Sequence, residues 1–350
     1  MRIGLYGMPT AGKTFILNQI DFMKVFFGSK LLHEFDPDFD LRNQGGKEKV
    51  RKEIAKRLLC EDKMIMDGHY SFGPDVVFTE EDGALYDAIL YLFIQPDVLR
   101  NRMTISEKNY KHLSYDVKEW QDEEICALRD YCHKNNKDFY VIDNPPANTF
   151  DDVSDVVKFI RDISEGYSCL SFAQAIVKDI LSKCSSDVIT LFDGDKTLIE
   201  EDSSSVAFNY KTNIYDGNYY TGYQAWKQSR DFETVGEFSF DDSMVHYNQK
   251  VLGAITRESF ILTSGHSVIW NYMAKRLKIW CYCGREMSAE TKYYVTKLLQ
   301  TNGKRIIAYG DGMNDYYMLS QADQGVLVSR KNGSISKSLR DKELGGLTIV

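Results

Sequence analysis

Residues 4–14, Gly-Leu-Tyr-Gly-Met-Pro-Thr-Ala-Gly-Lys-Thr, constrain this chain more than any other stretch. Gly7, Gly12, Lys13 and Thr14 take the fixed positions of G-x-x-x-x-G-K-[ST], after an apolar run and before a segment with helical spacing. The glycines let successive backbone N–H groups turn inward around phosphate oxygens, and the start of the following helix adds partial positive charge. In such a loop Lys13 neutralises the β- and γ-phosphates of ATP and Thr14 ligates Mg²⁺. An ordinary glycine turn with a surface lysine is the competing reading, and it leaves the full eight-position match unexplained. A phosphate loop between strand and helix predicts a parallel sheet around it.

The first half of the chain supplies that sheet. Apolar runs at 1–7, 31–36, 63–67, 87–94 and 137–143 read as strands, while 14–26, 46–59, 114–135 and 151–163 have helical spacing. Residues 144–150, Asn-Pro-Pro-Ala-Asn-Thr-Phe, break the pattern. Residues 172–184 form a connecting helix, or the first helix of the second half. A second alternating series then has strands at 187–193, 259–263, 305–310 and 324–328. Between Glu201 and about Lys250 an aromatic-rich segment does not continue the rhythm and reads as an insertion. The expected fold class is α/β, with two doubly wound, Rossmann-like parallel-sheet domains. Their expected bounds are 1–165 and 186–350, joined by a helix at 166–185, with a helical cap at about 203–255.

Over residues 1–165 these features resemble the small P-loop kinases of the nucleoside-monophosphate kinase group. The resemblance implies a lid helix after 87–94, from which Arg100 and Arg102 clamp the transferring phosphoryl group. It places a contact to a Mg²⁺-bound water or to substrate at Asp67, on a strand end. It also implies a general base after the second strand, where Asp36, Asp38 and Asp40 stand. Asp36 ranks first because it directly follows the apolar run, but spacing leaves the three open. The helix at 46–59 carries Lys47, Lys49, Arg51, Lys52, Lys56 and Arg57 around an apolar stripe of Val50, Ile54 and Leu58. That charge is either a solvated face or a cradle for a phosphorylated acceptor or a nucleic-acid end.

In the second half, Asp193-Gly-Asp195-Lys-Thr comes directly after a buried-strand pattern. Two carboxylates so placed suit phosphomonoester hydrolysis, with Asp193 attacking phosphorus and Asp195 serving as general acid and then base. Thr263 ends the next strand, where its hydroxyl can bond a phosphoryl oxygen. Lys292 offers a cation between nucleophile and phosphate, although Lys297 is also available. Asp311 and Asp315, in Gly-Asp-Gly-Met-Asn-Asp, are acidic ligands for Mg²⁺ together with Asp193 and Asp195. These four segments, in this order, resemble the haloacid dehalogenase superfamily of phosphatases across residues 186–350. A cap directly after the first motif resembles the phosphoserine-phosphatase branch. Asp202 stands where that branch implies a glutamate for the substrate's amino group, which departs from phosphoserine as substrate.

Charge narrows the partners. Residues 1–165 hold 22 Lys and Arg against 30 Asp and Glu, so they carry the whole formal −8, and the remainder is balanced. That argues against a broad nucleic-acid footprint, which needs clustered cations. No apolar run approaches bilayer length, and the N-terminal apolar run is too short for a signal peptide, so no membrane partner is expected. Seven cysteines without a framework spacing, Cys281-x-Cys283 included, fit a reducing, cytoplasmic setting. The oligomeric state is left open.

A kinase and a phosphatase acting on one hydroxyl would only hydrolyse ATP, so the two sites should serve different positions, molecules or conditions. The domain order resembles phage polynucleotide kinase/phosphatase, which implies 5′-hydroxyl phosphorylation and 3′-phosphate removal on nucleic-acid ends. A cap that closes to exclude water favours a small-molecule or nucleotide substrate instead. The third reading is a nucleotide-binding module that regulates the phosphatase without transferring phosphate.

Overall fold

The computed structural model describes residues 1–143 and 152–350, and the chain divides into two compact units, Met1–Tyr167 and Ser168–Val350. The segment 144–150, expected to break the pattern, lies outside the described residues.

The first unit runs β1 (Arg2–Tyr6), α1 (Lys13–Leu17), β2 (Lys24–Phe26), α2 (Gly28–Phe35), α3 (Gln44–Leu58) and β3 (Met64–Asp67). A small hairpin of β4 (Ser71–Phe72) and β5 (Asp75–Val76) comes next, then α4 (Glu80–Leu85), β6 (Ala88–Leu92), α5 (Pro96–Ile105), α6 (Val117–Asn135), β7 (Asp138–Ile142) and α7 (Ser154–Ser164). The five-stranded sheet is parallel throughout, in the order β2-β3-β1-β6-β7. Every residue of β6 and β7 is buried, as a parallel sheet between two helical layers requires. From β1 the chain fills one side of the sheet before crossing to β6. The phosphate loop therefore leaves β1 at the switch point, where open α/β sheets bind ligands.

Two expectations fail in this unit. Residues 31–36, read as a strand, lie mostly in α2, because Leu31, Leu32 and Phe35 repeat at helical rather than alternate spacing. The helix read over 14–26 stops at Leu17. Lys24–Phe26 instead pairs with Met64–Met66 of β3, so strand pairing overrides the local helical pattern. The stripe of Val50, Ile54 and Leu58 is buried on α3, as its spacing predicts.

The second unit opens with α8 (Cys169–Lys183), β8 (Val188–Phe192), α9 (Ser203–Phe208), α10 (Gly222–Glu233), α11 (Gln249–Leu252) and β9 (Ser259–Thr263). It continues through α12 (Ser267–Leu277), β10 (Trp280–Cys283), α13 (Ala289–Thr301), β11 (Arg305–Gly310), α14 (Met313–Gln321), β12 (Gln324–Leu327) and β13 (Thr348–Ile349). Its sheet, β10-β9-β8-β11-β12-β13, is again parallel throughout. The helix expected to connect the domains is α8. Its face of Ala173, Ile176 and Ile180 joins the core with Val295 and Leu299 of α13, within the second unit. Among the described residues no strand interrupts the helices α9, α10 and α11 between β8 and β9. The Thr221–Gln224 capping box starts α10, and its Tyr223 and Trp226 are buried. Strands β10 and β13, at the two edges, were not evident as apolar runs.

Register explains why distant motifs meet. Phe192 of β8 pairs with Tyr309 of β11 and Ile261 of β9, and the Asp193 N–H donates to the Tyr309 carbonyl at 2.9 Å. The strand ends thus bring Asp193, Asp311 and Thr263 out abreast.

Candidate active sites

Asp193, Asp311 and Asp315 are buried, and a carboxylate oxygen from each lies within 4.8 Å of the others. Lys292, in the first turn of α13, bridges two of them. Its Nζ is 2.6 Å from Asp193 Oδ1 and 2.7 Å from Asp315 Oδ1, with no exposed surface. Burial and then the charge of Asp315 push the Asp193 carboxyl well above the usual carboxylate range, against the pull of Lys292. Burial alone would lower Lys292, but Asp193 and Asp315 outweigh it and hold the ammonium above its ordinary value. Asp311 is pushed up to about 6 by burial and by Asp315. These three carboxylates, of which Lys292 meets two, form an oxygen donor set whose excess negative charge a divalent cation would relieve. That fits Mg²⁺.

Asp195 departs from its expected metal-ligand role. Its carboxylate stands outside that cluster, and Oδ1 accepts the backbone N–H of Ser203, the first residue of α9, at 2.9 Å. The cause is local, because the chain leaves the strand at Gly194 and turns Asp195 toward the cap. Burial and the nearby Asp202 push Asp195 up to about 7, where it can both give and take a proton. Asp202 caps α9 through the Ser205 N–H and accepts from Lys196 at 3.0 Å. Thr263 is buried at the end of β9, and its Oγ1 accepts the Gly265 N–H at 3.1 Å. Lys297 lies on α13 outside these contacts, so geometry selects Lys292. Sequence reasoning missed Arg330, whose Nη2 is 2.6 Å from Asp311 Oδ2. No motif marks it, since it stands in a turn beyond β12.

In the first unit the loop from Gly7 to Thr14 has φ of 149° at Gly7, 105° at Gly12 and 66° at Thr10. A β-branched residue in the left-handed region is strained, and such strain clusters at ligand-binding loops. The buried Lys13 donates to the Gly7 and Met8 carbonyls at 2.5 and 3.1 Å. Burial lowers it to about 8, with Asp67 and Glu124 opposing. Thr14 is exposed beside it. Asp67 ends β3, adjacent to β1, and its Oδ1 accepts the Gly28 N–H at 2.7 Å. Glu124, not singled out in the sequence, is a fully bonded buried carboxylate that accepts from Ser71, Tyr91 and Trp120. Gly7, Gly12, Lys13, Thr14 and Asp67 are thus gathered at one end of the sheet, with the donors and carboxylate that a nucleotide with Mg²⁺ would use.

Arg102 reaches this loop, with Nη1 3.2 Å from the Thr10 carbonyl and 3.3 Å from that of Ala11. Arg100 points elsewhere, toward the Tyr115 carbonyl at 3.5 Å. Asp36 comes after α2, not after a strand, and Arg42 grips it bidentately at 2.7 and 3.1 Å, holding the carboxyl below its usual range. The ground for ranking it first as the base is therefore lost. Asp40 pairs with His33 at 3.0 Å, and Asp38 precedes a short turn of helix.

Residues 286–339, which hold Lys292, Asp311 and Asp315, match the family described as haloacid dehalogenase-like hydrolase. No curated protein matches the chain in sequence. Among solved structures, the shikimate kinase from Acinetobacter baumannii in complex with shikimate is 15% identical over 53% of this chain and 95% of its own, with a TM-score of 0.31. A HAD family hydrolase from Salmonella enterica subsp. enterica serovar Typhi is 16% identical over 51% of this chain and 76% of its own, with a TM-score of 0.29. Likenesses at these scores carry no argument about chemistry. Topology and motifs together define a unit built around a phosphate loop, followed by a unit of which residues 286–339 match the haloacid dehalogenase-like hydrolase family. Among the described residues no helix is long and apolar enough to cross a membrane.

Proposed function

We propose that the chain is a bifunctional phosphate-handling enzyme. Its second unit hydrolyses phosphomonoesters through an aspartyl phosphate, and its first transfers a phosphoryl group from ATP to a hydroxyl of a small molecule or nucleotide. The observation that carries this reading is the buried meeting of Asp193, Asp311 and Asp315, two of them bridged by Lys292.

Asp193 attacks phosphorus while the leaving alkoxide takes the proton of Asp195. The Asp195 carboxylate then removes a proton from water, whose oxygen attacks phosphorus, releases inorganic phosphate and frees Asp193. Lys292 pulls the nucleophile toward its ionised form against burial and Asp315. Mg²⁺ held by Asp193, Asp311 and Asp315 would neutralise charge between nucleophile and phosphate. In the first unit Lys13 and Arg102 would meet the ATP phosphates, with Thr14 and Asp67 toward Mg²⁺.

The basic helix α3 favours a small acceptor over a nucleic-acid end. Lys52 pairs with Glu48 and Glu81 and Lys56 pairs with Glu53, which withdraws two of its six cations from a phosphate backbone. Incubation with γ-labelled ATP and a pool of nucleosides, sugars and 5′-hydroxyl oligonucleotides tests the kinase. Label in a small acceptor supports the reading, and label in the oligonucleotide replaces it with end-healing. ATP binding that alters phosphatase rate without transfer to any acceptor would make the first unit a regulatory module.

A further inference from the structure

We infer that Trp270 is a positioning residue for the phosphatase reaction, its indole N–H holding the Asp195 carboxylate in place during phosphoryl transfer. This rests on the phosphatase reading above and assigns a task to a side chain outside the four motifs.

Trp270 stands on α12 with its side chain fully buried. The indole is wedged between the loops that carry the first two motifs. A Cβ added at Gly194, between the two aspartates, would lie 2.4 Å from Cζ2 and 2.5 Å from Cε2. One added at Gly265, after Thr263 and Ser264, would lie 2.3 Å from Nε1 and 2.5 Å from Cδ1. Real Cβ atoms do not make contacts this short, so both glycines are required by the one ring. A wedge alone needs no polar atom, and leucine or phenylalanine would fill it without a donor to satisfy.

The donor is what calls for explanation. Trp270 Nε1 is buried without a hydrogen-bond partner among the described residues, an arrangement native interiors rarely tolerate. The point that is 2.3 Å from Nε1 at Gly265 is also 3.0 Å from Asp195 Oδ2. An unused donor and a carboxylate oxygen thus flank one position. The other oxygen of Asp195 already accepts the Ser203 N–H from the cap. Rotation of the Asp195 side chain toward that position would bring Oδ2 onto the indole, so that the carboxyl would be held by α9 on one side and α12 on the other. Its proton is then aimed at the leaving oxygen.

Trp270→Phe keeps an aromatic ring and removes the N–H. Steady-state kinetics with Mg²⁺ should separate two aryl esters. For phenyl phosphate, whose leaving oxygen needs a proton, kcat falls by roughly tenfold or more, a part of what losing a general acid costs. For p-nitrophenyl phosphate, a good leaving group, the fall is much smaller, and KM holds for both. Equal loss on both esters, or none, overturns the inference and leaves the phosphatase reading standing. A wild-type chain that hydrolyses neither ester overturns both.

A second measurement does not depend on the variant folding. The sequence has 4 tryptophans, so a ¹⁵N-tryptophan sample gives four indole signals, assigned by replacing Trp120, Trp226 and Trp280 singly with phenylalanine. On adding Mg²⁺ and beryllofluoride to mimic the aspartyl phosphate, the Trp270 Nε1–H signal should move downfield as it bonds a carboxylate. A signal that stays in place counts against the positioning role.

Discussion

The Lys292 ammonium stands 2.6 Å from the Asp193 carboxylate, and neither group has appreciable contact with solvent. Breaking a buried pair by deleting one partner leaves an uncompensated charge, at a cost of about 3–5 kcal/mol. Lys292→Met should therefore lower stability by about that much in chelator, as read from urea unfolding. Added Mg²⁺ should restore part of the loss, because an ion that binds only the folded state stabilises it by mass action. Equal stability of variant and parent in chelator would mean that the pair is not ionised.

Asp193→Asn should abolish Mg²⁺-dependent hydrolysis of an aryl phosphate and leave nucleotide binding intact, since the phosphate loop belongs to the other unit. Asp195→Asn should slow hydrolysis by roughly 10²–10⁴-fold, the range for losing a general acid–base group. Loss of ATP binding in the Asp193 variant would contradict two separate sites.

Lys13 supplies a prediction with a definite sign. Burial holds it at about 8, so below that pH it is already protonated, and above it ATP must bring a proton with it. ATP affinity should fall as pH rises through 8, by up to about tenfold per unit while one proton is taken up. Calorimetry at a pH of about 8.5, in two buffers of different ionisation enthalpy, measures that uptake directly. Lys13→Ala should remove both the uptake and phosphoryl transfer while sparing the phosphatase.

Salt dependence separates acceptor classes. Each phosphate of a single strand contacted by a cation steepens the log–log affinity slope by about −0.7. With Lys52 and Lys56 committed to glutamates, we expect a shallow slope for a 5′-hydroxyl oligonucleotide. A steep slope that flattens when Lys49 and Lys52 are replaced together would favour end-healing.

Long-range geometry is legible from sequence where strand ends carry the chemistry. Asp193, Thr263 and Asp311 each close an apolar run, and parallel register alone brings them abreast. The choice between Lys292 and Lys297 depended on helix phase: five residues apart, they point about 140° away from each other around α13, and only the first turn faces the cluster. Asp36 misled because a six-residue apolar run fits either period, and here the helix won. Arg330 carried no local signal at all. Its meeting with Asp311 comes from the segment just after β12, the strand paired with β11.

Lys13 and Arg102 both donate to carbonyls of the phosphate loop itself. Any entering anion must win those N–H groups from the backbone they already satisfy. The loop thus keeps both cations occupied on its own backbone, an internal competitor that an anion has to displace before it binds.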